Sequence, residues 1–152
     1  MTTRIGLHHI DIVGPLLPIT GAFAIPFTAY FALLSTRVCK LRLKDKIYLG
    51  NAENDHDEEA AIATRAHANF AEYVPLALGL AAFAELNGAS KQALTLSLGG
   101  LLVARVLHVE FGLRRPGCTG MGRVVGYYGT MGAMSFLAGY AGYLVKDYWF
   151  AK

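Results

Sequence analysis

The chain has 152 residues, of which 54% are hydrophobic and only 16% charged, against about 25% charged in soluble domains. That balance points to a single membrane domain, and a formal charge of +3 with basic residues confined to segment ends and loops excludes the basic, aromatic-interleaved face that nucleic acid requires. Cys39 and Cys118 have no second cysteine or histidine at a zinc-like spacing and are expected as two unpaired thiols.

Residues 1–14 have no clear period and form a leader expected near the membrane surface. Asp11, Pro15 and Pro18 interrupt any signal-peptide core, so the first apolar stretch is a retained anchor. Residues 15–150 form one domain of four helices. The first, about residues 15–38, is long enough to cross about 30 Å of hydrocarbon. Pro15 and Pro18 suit its first turn, and Pro26 predicts a bend. Arg37, Lys40, Arg42, Lys44 and Lys46 follow as a stop-transfer cluster that places the first loop in the cytoplasm. An acidic run from Glu53 to Glu59, with Asp55 and Glu58 as a capping pair, leads into helix two at about residues 59–86.

Helix two opens on Arg65-Ala66-His67-Ala68-Asn69-Phe70-Ala71-Glu72-Tyr73-Val74-Pro75. At about 100° per residue, Arg65, Asn69 and Glu72 share a stripe roughly 60° wide, while His67 points nearly the opposite way. Unpaired charge at membrane depth is costly, so the stripe must face protein or a polar ligand. Pro75 predicts a kink beside it. Asn87-Gly88-Ala89-Ser90 suits a left-handed cap and a turn short enough to force antiparallel neighbours. Helix three, about residues 92–113, places Arg105 and His108 on one face with Glu110 well away from it.

Arg114 and Arg115 return the chain to the cytoplasmic side, and Pro116 to Gly120 is a compact turn. Helix four, about residues 121–149, carries a small-residue stripe of Gly122, Gly126 and Gly129 that lets another helix approach closely. Arg123 and Tyr127 are four apart, which sets one ring over one guanidinium; Tyr140, Tyr143, Tyr148 and Trp149 form an aromatic belt. The chain is thus expected to be an all-α, integral membrane four-helix up-down bundle, with loops one and three cytoplasmic and both termini non-cytoplasmic.

Arg65, Arg105 and Arg123 all fall within about two turns of the cytoplasmic ends of their helices, together with Asn69, Glu72, His108 and Tyr127. Three arginines against one or two carboxylates invite an anionic ligand, because guanidinium holds carboxylates bidentately. A thiol beside such a cation ionises more readily, and the thiolate is the nucleophile. The plainer alternative is that the arginines snorkel to headgroups and Arg65 pairs internally with Glu72. His67 and His108 lack a third ligand at helical spacing, so no metal site is expected. No nucleophile elbow speaks for a hydrolase. A proton-coupled transporter using Glu72 and His108 as a relay is disfavoured by four spans without repeat symmetry.

With these residues in view, the chain resembles the MAPEG family, the membrane-associated proteins in eicosanoid and glutathione metabolism. Arg65-x-His67-x-Asn69-x-x-Glu72 is similar to the family's helix-two signature, Arg105-Val106-Leu107-His108 to its helix-three motif, and Arg123-x-x-x-Tyr127 to its helix-four motif. Glu85-Leu86-Asn87-Gly88-Ala89 is similar to a bacterial inner-membrane branch. The resemblance implies a left-handed four-helix bundle assembled as a homotrimer, with glutathione bound between subunits near the cytoplasmic face. It implies that Arg65, Asn69 and Glu72 hold the glutathione backbone, Arg105 and His108 line the pocket, Tyr127 contacts the peptide and Arg123 stabilises the thiolate. Arg42 joins this set if the first loop is shifted by one residue.

The activity so implied is a glutathione transferase acting on hydrophobic electrophiles that enter from the bilayer between helices one and four of adjacent subunits, with lipid hydroperoxide reduction as a companion reaction. Two positions depart from the pattern. Val124 stands where many catalytic members carry serine, and Gly112 where some carry tyrosine. The family also includes a member that binds lipid and scaffolds a partner enzyme, so the alternative implied is a non-catalytic membrane lipid-binding or scaffold protein.

Overall fold

Four long helices make up most of the described part of the chain, residues 15–45 and 58–150 of a computed structural model. The leader over residues 1–14, the Gly50-Asn51 pair and the acidic stretch from Glu53 through Asp57, with its Asp55 cap, lie outside the described residues. Helix α1 spans Pro18–Asp45, α2 Glu58–Leu86, α3 Lys91–His108 and α4 Met121–Leu144, with a short α5 over Lys146–Phe150; no strand occurs among the described residues.

Helix α1 continues seven residues past the expected end at 38. Lys, Arg and Leu are strong helix formers, and Arg42 and Lys44 in the last turn complement the negative end of the helix dipole. Lys40, Arg42 and Lys44 of the basic cluster are therefore helical where a loop was expected, and Lys46 lies outside the described residues. Pro26 and Pro75 lie inside α1 and α2, each a single helix across its proline. Helix three keeps its expected length but changes character: after His108 it becomes a π-helical segment, Val109–Leu113, closed by the Arg114 N–H donating to the Val109 carbonyl at 3.0 Å. Helix four stops short of 149, because Val145 leaves helical backbone (φ −101°, ψ 7°) and separates α4 from α5.

Side chains at the helix ends tie the elements together. The carboxylate of Glu85, at the end of α2, accepts the Ile19 and Thr20 N–H groups at 2.7 and 2.8 Å. These are orphan donors of the first turn of α1, and Pro18 before them has no N–H to satisfy. Helix α2 then ends on Gly88 in the left-handed region (φ +82°), with Gly88 N–H bonded to Glu85 O and Ala89 N–H to Ala84 O, the paired closure that a glycine at this position permits. The Ser90 N–H donates to the Tyr140 hydroxyl at 3.0 Å, so the start of α3 meets the far end of α4.

The core is apolar and close-packed. Phe27 and Leu34 of α1, Phe70 and Val74 of α2, Leu94, Leu98 and Leu101 of α3 and Leu137 of α4 are all buried. Phe27, Tyr30 and Phe31 gather around the Phe70 ring at centroid distances of 6.2, 5.5 and 6.3 Å. The glycine stripe meets α3 of the same chain. A Cβ on Gly126 would lie 2.5 Å from His108 Cβ, and one on Gly112 would lie 2.5 Å from the Arg123 backbone nitrogen. Two segments, residues 18–44 and 91–113, are long and apolar enough to cross a membrane. The α2 segment carries Glu58, Glu59, Arg65, Glu72 and Glu85.

Gly126→Ala should destabilise the protein by about 1–3 kcal/mol, the cost of overpacking a contact that cannot yield. Gly21→Ala, where nothing lies within 4 Å of the added carbon, should be neutral or stabilising by up to about 1 kcal/mol. Denaturant unfolding of the purified protein in detergent measures both. Glu85→Ala, which strips two donors of their acceptor at the head of α1, should cost about 1–2 kcal/mol in the same assay.

Candidate functional site

The site is built on a buried cation. Arg105, on the inner face of α3, is 2% exposed. Asn69 and Tyr73 of α2 are four residues apart and so share the helix face that meets it. Arg105 Nη1 donates to Asn69 Oδ1 at 2.6 Å, and its guanidinium carbon lies 5.4 Å from the centre of the Tyr73 ring. Its Nε is buried with no partner, and no carboxylate among the described residues forms an ion pair with it. A charge removed from water normally keeps a counter-ion or neutralises; here only an amide oxygen and an aromatic face attend it.

In front of this arrangement opens a cavity of about 380 Å³. Arg65, Asn69 and Tyr73 form one wall, His108 and Leu113 the next, and Arg123, Val124, Tyr127 and Tyr128 of α4 the third. The lining holds two arginines and no carboxylate. His108 Nδ1 lies 3.1 Å from the Arg123 carbonyl oxygen. A carbonyl can only accept, so Nδ1 carries a proton and donates it, which leaves Nε2 turned away from this bond. One hydrogen bond thus joins α3 to the first turn of α4 and orients the imidazole.

Of the eight site residues expected from sequence, Arg65, Asn69, His108, Arg123 and Tyr127 line this cavity, and Arg105 backs it through Asn69. Glu72 and Arg42 do not reach it within one chain. Glu72 is exposed and outside the lining, because the cavity is centred on the Asn69–Tyr73 side of the α2 stripe: counted from Arg65, Asn69 and Tyr73 stand at about +40° and +80°, Glu72 at about −20°. Arg42 is exposed in the last turn of α1.

The expected stacking of Tyr127 on Arg123 is absent. Arg123 Nη1 donates back to the Cys118 carbonyl at 3.2 Å, and the Tyr127 ring meets Tyr128 edge-on at 5.4 Å. A turn carbonyl satisfies the guanidinium better than a ring face does. His67 lies away from the cavity, with its ring 4.7 Å from that of Phe31. Cys118 is unpaired, and its Sγ–H donates to Leu113 O at 3.2 Å. Tyr73 was missed in the sequence, although its four-residue spacing from Asn69 is the signal that would have found it.

A family comparison decides the class of this helical chain. The model of the MAPEG family matches residues 20–143. The chain belongs to the MAPEG family. Comparison with curated proteins and with solved structures gave no match. Membership accounts for the two membrane-length segments and carries, at the level of the family, membrane glutathione transferase or related activity.

Asn69→Ala should cost about 1–3 kcal/mol of stability, because it leaves the buried Arg105 without its acceptor. Tyr73→Phe keeps the ring face and should lie within about 0.5 kcal/mol of the parent, whereas Tyr73→Leu should lose about 1 kcal/mol. Unfolding in detergent separates the three.

Proposed function

We propose that this MAPEG protein is a membrane-bound glutathione transferase working as a homotrimer of up-down four-helix bundles in a bacterial inner membrane. The observation that carries the reading is the arginine excess at one cavity: Arg65 and Arg123 in its lining, Arg105 buried behind it, and no carboxylate among the lining residues. Glutathione brings the missing negative charge as two carboxylates, and its thiol supplies the nucleophile. Arg65 and Asn69 hold the peptide backbone, with Arg105 fixing Asn69 in place. His108 offers its Nε2 to the peptide, and Tyr127 contacts the peptide from α4.

Glu72 and Arg42, both exposed in the single chain, complete the site where a neighbouring subunit covers them, Glu72 accepting from the glutathione amino group. A shallow groove on α3 and α4 lined by small residues, among them Gly100, Gly129, Gly132 and Ala133, supports close approach of a second copy. The ends that meet also support the up-down order: the end of α2 at the start of α1, and the start of α3 at the end of α4.

Arg123 stabilises the thiolate. Only one of its five N–H donors is used by the Cys118 carbonyl, so the rest can face a sulfur in the cavity. The thiol gives up its proton to solvent, sulfur attacks an electrophilic carbon delivered from the bilayer, and the leaving group departs with the electron pair of the bond that breaks. The same thiolate attacks the terminal oxygen of a lipid hydroperoxide, breaking the O–O bond and releasing the alcohol once protonated, and a second glutathione resolves the resulting sulfenic acid to disulfide and water. Two features favour a second reading, a non-catalytic lipid-binding or scaffold role: Val124 puts an apolar side chain into the lining, and Gly112 is closed against the Arg123 backbone so that no side chain fits there.

Purified protein assayed with glutathione and a chloronitroaromatic acceptor should turn over, and Arg123→Ala should lower kcat by about 100-fold, as loss of one donor to a developing charge does elsewhere. Unchanged turnover in that variant would remove the thiolate role. Millimolar glutathione should raise the unfolding midpoint in proportion to ln(1 + [L]/Kd); no shift decides for the scaffold reading.

A further inference from the structure

A second cavity, of about 580 Å³, lies between the C-terminal half of α1, the first turns of α2 and the π-helical segment. Its floor is apolar: Leu34, Ala66 and Val109 are 1%, 2% and 3% exposed, with Ile62 beside them. Its rim carries both signs. Arg37, Lys40 and Arg114 supply cations, and Glu58 and Glu59 supply carboxylates. Arg37 and Arg114 each use one Nη on Glu110, leaving most of their five donors unspent. Lys40, Glu58 and Glu59 form no ion pair among the described residues.

We propose that this cavity binds a phospholipid whose headgroup carries both a phosphate and a primary ammonium, with an acyl chain laid on the apolar floor. The floor calls for hydrocarbon, since a water-filled pocket walled by Leu34, Ile62 and Val109 gains nothing from hydration. The unspent guanidinium donors and the Lys40 ammonium match phosphate oxygens. Glu58 and Glu59 are acceptors only and match an ammonium with N–H groups to give. A quaternary ammonium brings charge but no N–H to donate, and a glycerol headgroup brings no positive charge, so each matches the two glutamates less well. The rim also stands at the right depth, because the basic residues begin where the apolar run of α1 gives out. The site shares no lining residue with the arginine cavity and holds whether or not that cavity takes glutathione.

The test uses the full chain, delipidated in detergent and returned to phosphatidylcholine vesicles doped with phosphatidylethanolamine or phosphatidylglycerol, with the unfolding midpoint read against lipid fraction. Phosphatidylethanolamine should give a saturable rise with an apparent affinity about fivefold above phosphatidylglycerol, the size expected of one partly exposed ion pair. Glu59→Gln should bring it down to the phosphatidylglycerol value, and Lys40→Ala should weaken both. Both positions are exposed, so neither change threatens the fold. Ile62→Trp should abolish saturation by filling the floor. The proposal is overturned if phosphatidylglycerol or phosphatidylcholine binds as well as phosphatidylethanolamine, if the preference survives in both charge variants, or if free phosphoethanolamine produces the whole shift without a chain.

Discussion

The constraint on which the rest depends is the contact between α3 and the first turns of α4. Gly112, Gly122 and Gly126 leave no room for a Cβ, so backbone lies against backbone there. That approach sets where Arg123 begins, brings its carbonyl to His108 Nδ1, and makes Leu113 and Val124 opposite walls of one cavity. In lipid there is little hydrophobic gain from pairing two apolar helices, so dispersion across such a close surface has to supply the attraction. A side chain at any of these positions would push α4 outward and open the cavity. Gly112, read in the sequence as a lost tyrosine, is thereby explained by what replaced it: the backbone of Arg123.

The second determinant is how α3 divides charge. Glu110, on its α1 side, accepts from Arg37 and Arg114 and receives the Tyr30 hydroxyl at 3.2 Å. One carboxylate thus neutralises two arginines partly and fixes α1 to the end of α3. On the opposite side Arg105 has an amide and a ring, and Arg65 and Arg123 stand in the lining with no acid. A buried guanidinium without a counter-ion reduces stability, and an anion bound in the cavity would offset part of that desolvation. The π-helical segment lies between the two faces, where Glu110 meets α1 while Gly112 meets α4. Such segments, with one residue more per turn, occur frequently at functional sites.

Much of this was legible beforehand, for identifiable reasons. Helix number and the Gly88 cap follow from apolar run length and turn chemistry, which are local. The Arg65 and Asn69 face follows from helical periodicity, and so does the separation of Glu110 from Arg105. Periodicity is silent about which neighbour occupies the space beside a face. Glu72 was therefore grouped with Asn69, while Tyr73, on the other flank, went unnoticed. The stacking of Tyr127 on Arg123 failed because a four-residue spacing permits contact without deciding it against a nearby carbonyl. The helical state of Cys39 to Asp45 was hidden because the loop was assigned from charge, and charge reports depth in a membrane and not backbone conformation.

The two cavities share a wall, and this bears on how the chain could respond to its surroundings. Val109 and Arg114 line one, His108 and Leu113 the other, and all four lie within seven consecutive residues of α3 and its π-helical continuation. A ligand that draws Arg37 away from Glu110 would loosen the tie between α1 and the end of α3 on one side. It would also alter the segment whose Gly112 holds the Arg123 backbone on the other. Binding at either site can bias the other only through a difference in affinity for two arrangements of that shared segment. A packed π-turn, held by one carboxylate on one face and by glycine contacts on the other, is a short physical route along which such coupling would run.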